Sequence, residues 1–122
     1  MPTTAQIALI YVPCGSEEEA TRIAANLIEE RLVACGNIYR SRSIYHWEGE
    51  MRDEEEHVLL CKTTSGRVDA ARRRVLELHS YEVPCVLKIE GAEANWGYAM
   101  WVAGEVAGDG AYFGSASSRA VG

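Results

Sequence analysis

The chain has 122 residues, 48% of them hydrophobic, and a formal net charge of −6 with a pI near 5.0. That length fits one domain around one core and is too short for two. The acidic balance excludes a chain built to bind nucleic acid or an anionic membrane surface, because both need clustered positive charge.

The run QIALIYV, Gln6 to Val12, is apolar, β-branched and aromatic and is bounded by Pro13 and Gly15, which predicts a buried strand. Ser16 with Glu19 three residues on forms a capping box, and Glu17, Glu18 and Glu19 suit the positive end of a helix dipole. Ala20, Ile23, Ala24, Leu27, Ile28 and Leu32 then recur at helical spacing, so one face of this helix should meet a sheet. Beyond Leu32 the chain reads as two long strands joined by a turn, with Gly49 and the acidic cluster Asp53 to Glu56 as breakers. Ser43, Tyr45 and Trp47 alternate with Ile44 and His46, which places the two large aromatics on one face. HVLLCKT suits a central strand.

A second helix is expected from about Ser65 to His79, with Val68, Ala71, Val75 and Leu76 inward. VPCVLKIE reads as a strand with Pro84 at its start, and Asn95 to Val106 as a short terminal helix. Residues 107–122, rich in Gly, Ser and Ala, read as a flexible tail outside a single domain spanning 1–106. The order strand, helix, strand, strand, helix, strand predicts an α+β, ferredoxin-like fold: an antiparallel sheet with two helices on one face. A hairpin this long and a bare apolar sheet face call for association.

Chemistry has few anchors. PCGSEEE lacks the glycines and lysine of a phosphate loop, and there is no GxSxG or HExxH. Glu54, Glu55 and Glu56 read as solubilising, and Arg72, Arg73 and Arg74 as a solvated face. Cys14, Cys35, Cys61 and Cys85 form no CxxC pair and read as buried thiols of a cytoplasmic chain with neither a secretory signal nor a membrane-spanning segment. His79 reads as a helix C-terminal histidine, His46 and His57 as possible cross-strand neighbours, and Lys62 as an ion-pair or anion contact. Tyr45 and Trp47 read as aromatics buried between subunits, or as a ligand platform.

Taken in order, EERLVACGNI, SIYHWEGE, HVLLCKT, HSYEVP and NWGYAMWV make the chain from about Gln6 to Val106 resemble the CutA divalent-cation tolerance family. The resemblance implies a tight homotrimer whose long hairpins pair between neighbours, and a non-catalytic protein that binds copper or another divalent metal. It also implies a site in which Cys35 and His79 take part, with Lys62, Tyr81, Glu82, Pro84, Trp47 and Tyr98 at matching positions. Two departures stand out: Ser80 replaces the family's usual proline, and Cys85 replaces its usual glutamate and adds a soft donor near His79. The alternative is a PII-like trimeric signalling or scaffold module binding a small effector between subunits, by fold analogy.

Overall fold

The computed structural model describes residues 2–107 and 121–122, so most of the expected tail, 108–120, lies outside the described residues. Its elements are β1 (Thr4–Cys14), α1 (Glu17–Glu29), β2 (Cys35–Trp47), β3 (Glu50–Thr63), α2 (Val68–Leu78), β4 (Leu87–Asn95) and α3 (Trp96–Val106). The strands form one sheet in the order β2-β3-β1-β4, and every neighbouring pair is antiparallel, as the ferredoxin-like expectation requires.

Period-two alternation in β1 sorts the sheet into two faces. Ala8, Ile10, Val12 and Cys14 point toward α1 and α2 and, with Leu59 and Cys61 of β3, form the main core with Ile23, Leu27, Val68 and Val75. Ile7 and Leu9 point the other way and meet Ala99, Val102 and Val106 of α3. The face expected to be bare is therefore partly covered by the terminal helix.

Three boundaries differ from expectation. α2 begins at Val68, because residues 65–67 make a turn first, and Leu76 faces solvent while Leu78 packs on the core. In α1, Ile28 is also exposed; the helix ends at Glu29, Arg31 adopts a left-handed φ of 60°, and the chain turns back so that Leu32 still reaches the core. β4 begins at Leu87, not at Val83 or Pro84, so HSYEVPC is an irregular connection along its whole length.

Asp53 to Glu56 do not break β3. They lie within it because Arg42 makes a two-pronged ion pair with Asp53 (2.8 and 2.6 Å) and Arg40 pairs with Glu55 (2.9 Å), so opposite charges meet across the hairpin. β1 pairs with β3 only as far as Cys14↔His57. The ribbon from Ser41 to Glu56 therefore overhangs the sheet, its two strands paired only with each other. Trp47↔Glu50 closes it through Glu48 (φ 51°) and Gly49 (φ 80°), a two-residue turn of the type with two positive φ values. Gly49→Ala is expected to lower stability by about 1 kcal/mol, read as a shift in urea midpoint at unchanged slope, because a Cβ there is strained although it has open space.

Candidate functional site

The HSYEVPC connection is held at its start by His79, whose side chain is fully buried. Nδ1 accepts the Tyr81 N–H at 3.1 Å, which leaves Nε2 to carry the proton and donate to the Pro13 carbonyl at 2.9 Å. Beside it the Glu19 carboxylate accepts the Ser80 N–H at 2.8 Å and the Gly15 N–H at 3.3 Å. The capping box is thus half formed: Ser16 Oγ accepts the Glu19 N–H at 3.1 Å, but the Glu19 side chain ties the connection to β1 and does not return to Ser16. Burial alone would raise the Glu19 carboxyl; the Ser80 and Gly15 N–H groups and nearby His79 outweigh it and hold it below the usual range.

Tyr81 follows, its ring edge-on to His79 at 4.7 Å, and its hydroxyl donates to Glu56 Oε2 at 2.8 Å. This bond fastens the connection to the root of the ribbon. Between them opens a cleft of about 780 Å³ whose lining includes Tyr45, Trp47, Arg52, Glu54, Glu56, Tyr81, Glu82 and Cys85. Tyr45 donates to Glu54 Oε1 at 2.5 Å, and Arg52 lies 3.7 Å from Glu54 Oε2. The hydrogen bond to Glu54 pushes the Tyr45 phenol up; burial, then Glu56, does the same to Tyr81. Burial and Glu56 also raise the Cys85 thiol.

A second cluster lies on the α3 side of the sheet. Cys35 opens β2 opposite Lys62, positioned by the Ala34 N–H donating to the Lys62 carbonyl (2.8 Å) and the Thr63 hydroxyl to the Leu32 carbonyl (2.7 Å). The Lys62 ammonium donates to Asn37 Oδ1, sits 3.9 Å from Cys35 Sγ and lies 5.8 Å from the centre of the Tyr98 ring. Burial first, and adjacent Cys35 second, raise the Tyr98 phenol, whose oxygen is sealed from solvent without a hydrogen-bond partner among the described residues.

The residues singled out in the sequence therefore fall into two places. Tyr45, Trp47, Tyr81, Glu82 and Cys85 share the cleft, with Pro84 in the same connection; Cys35, Lys62 and Tyr98 share the second cluster. His79 is bonded near Pro13, which pairs with Val58, four residues along β3 from Lys62, or about 13 Å at strand rise. Within one chain Cys35 and His79 thus do not meet. Nor are His46 and His57 neighbours: His46 faces Met51 and His57 faces Arg40. Cys14 and Cys61 are core thiols, both pushed up to about 12 by burial. Among the described residues no group of three His, Cys, Asp or Glu side chains is placed to hold one metal ion.

Glu19, Glu56 and Arg52 went unremarked as site residues. Glu19 carried only a capping signal and Glu56 only its place in an acidic run, although the same period-two alternation that aligns Tyr45 and Trp47 puts Arg52, Glu54 and Glu56 on their face.

Residues 8–105 match the family model for the CutA1 divalent ion tolerance protein. The Divalent-cation tolerance protein CutA of Thermus thermophilus is 44% identical over 98 residues, covering 80% of this chain and 93% of that one. A solved structure of the CutA1 divalent ion tolerance protein from Ehrlichia chaffeensis superposes with a TM-score of 0.78 at 33% identity, covering 82% of this chain and 94% of its own. One from Archaeoglobus fulgidus, described as a periplasmic divalent cation tolerance protein, gives a TM-score of 0.78 at 33% identity over 84% of this chain and 99% of its own. The PII-like alternative draws no support from these relatives.

Proposed function

The chain belongs to the CutA1 divalent ion tolerance family, and from that premise we propose that it is a non-catalytic homotrimer that takes up copper or another divalent cation. The observation that carries assembly is the overhanging ribbon. A two-stranded ribbon is marginal alone in water, and this one exposes Ile44, Tyr45, Trp47 and Met51. Docking the ribbons on neighbouring copies covers those side chains. The non-catalytic reading follows the family; within the cleft, the two phenols and the Cys85 thiol are all shifted upward, which disfavours them as bases or nucleophiles near neutral pH.

For the metal, Cys35 and Cys85 are the soft donors nearest the surface, and His79 is a third donor type only if it leaves the Tyr81 N–H or the Pro13 carbonyl. One chain does not gather these donors around one ion, so uptake draws on more than one copy of the chain. We place the protein in the cytoplasm, where four unpaired cysteines stay reduced. No described helix is long and apolar enough to cross a membrane.

The test is a calorimetric titration of the reduced, metal-stripped protein with Cu(II) and Zn(II) under a competing chelator, with its mass in solution read in parallel. Saturable binding by a species of three chains, weakening as pH falls through the histidine range and lost in Cys35→Ala with Cys85→Ala, is expected. Binding unchanged in that double variant, or a single-chain mass, overturns the reading.

A further inference from the structure

We infer that the metal proposed above, on which this step rests, is held without His79: of the three donors considered, the thiols of Cys35 and Cys85 remain. An imidazole ligates through a nitrogen lone pair, and each ring nitrogen of His79 already faces a backbone group. A backbone N–H can only donate and a carbonyl can only accept. The Tyr81 N–H therefore consumes the Nδ1 lone pair, and the Pro13 carbonyl requires the proton on Nε2. A ligating histidine ordinarily gives its other N–H to a carbonyl or carboxylate, and Nε2 does so here, so Nδ1 decides. A cation at Nδ1 has to take the place of the Tyr81 N–H, whose nitrogen lies 3.1 Å away. A cation at Nε2 has to displace the Pro13 carbonyl and send the proton to Nδ1, where it opposes the Tyr81 N–H, donor against donor. Both routes free the Tyr81 N–H, and the side chain has no exposed surface by which to be approached.

The donors around the ring are spent as well. Glu19 Oε2, 3.7 Å from Nδ1, accepts the Ser80 N–H at 2.8 Å, and Oε1 accepts the Gly15 N–H at 3.3 Å. Cys14, next along β1 from Pro13, donates its thiol to the Val12 carbonyl at 3.6 Å, and burial pushes that thiol up to about 12. The Tyr81 hydroxyl is engaged by Glu56. Recruiting His79 thus costs one hydrogen bond to backbone by the first route and two by the second, and it loosens the connection that Glu19 and Glu56 hold in place. Cys85 is exposed and Cys35 partly so, and neither has to abandon a backbone partner. Cys85 also accounts for weaker uptake in acid without a histidine ligand. Its thiol is held above its ordinary value, so protons compete for it throughout the histidine range.

The test uses the native, metal-stripped full chain with Zn(II) as a diamagnetic probe, followed by long-range proton–nitrogen NMR of the imidazoles and by hydrogen exchange at the Tyr81 amide. At saturating Zn(II), His79 is expected to keep its nitrogen signals in the Nε2–H form, and the Tyr81 amide to stay as protected as without metal. His79→Gln, which can both donate and accept, is expected to bind Zn(II) within about threefold of the unaltered chain. His79 nitrogens that move in step with bound Zn(II), with Tyr81 protection lost, overturn the inference. So does a loss of affinity of tenfold or more in a folded His79→Gln. Should that variant not fold, the spectra of the unaltered chain decide. Should the unaltered chain bind no Zn(II), the metal reading falls, and the assignment of His79 is judged in the metal-free protein. There the Nε2–H form with a protected Tyr81 amide upholds it, and the Nδ1–H form overturns it.

Discussion

Replacing His79 with alanine should lower the unfolding free energy by about 3 kcal/mol, because it takes the hydrogen-bond partner from the part-buried Pro13 carbonyl and Tyr81 N–H and leaves a cavity where a fully buried ring was. The loss is measured by urea unfolding at pH 7 and fixed protein concentration, since any assembly makes apparent stability concentration-dependent. His79→Gln, which can both donate and accept, should recover part of it. A loss below about 1 kcal/mol would mean the ring is not the fastener the geometry indicates. Its neighbour Glu19 adds a pH signature. The folded carboxyl is held below its ordinary value, so its contribution is complete above the usual glutamate range, near about 4.3, and drains away as pH falls toward the depressed folded value. Stability against pH should therefore fall in the acid limb, and the fall should be shallower in Glu19→Gln.

Leu59→Ala should cost about 3 kcal/mol by the same measurement, as expected for emptying a fully buried leucine position. The more telling result is its coupling to Gly36. A Cβ on Gly36 would stand 2.9 Å from Leu59 Cδ1 and 3.4 Å from Ala24 Cβ, so the leucine occupies the space that β2 leaves by carrying no side chain there. Gly36→Ala alone should be destabilising through that clash. In the Leu59→Ala background the obstructing atom is gone, and the same change should cost at least about 1 kcal/mol less. Additive effects would show that α1 and β2 relax independently of Leu59.

Much of the fold was legible because its periodicities are strong. QIALIYV, the Ser16 cap and the stripe from Ala20 to Leu27 each specify an element without tertiary help, and HVLLCKT can pack only as a central strand. The misreadings arose where a long-range partner overrode local character. Asp53 to Glu56 look like a strand breaker until Arg40 and Arg42 stand opposite them, and the β4 boundary moved because the His79 and Glu19 bonds fix the preceding residues in an irregular path. Ile28 and Leu76 satisfy helical spacing, yet each falls at the edge of its stripe and ends in solvent. The site was legible as a set of residue types but not as a geometry. Nothing in HSYEVPC indicates that its histidine is a fastener whose nitrogens both face backbone groups, nor that Cys35 belongs with Lys62 and Tyr98 at the other end of β3.

The overhanging ribbon has a further meaning for how the chain finds its own alignment. Between Ser41 and Glu56 no third strand pairs with the ribbon to say which residue should sit opposite which, and a slip of one position would exchange the two faces. Three side-chain links remove that ambiguity: Arg40 with Glu55 and Arg42 with Asp53 on one face, Tyr45 with Glu54 on the other. Each spans a diagonal that exists in one register only, and the Glu48–Gly49 turn sets the count from the tip. The ribbon thus works as a ruler written in charge, and the aromatic pair near its tip arrives at a fixed height before any partner has been met.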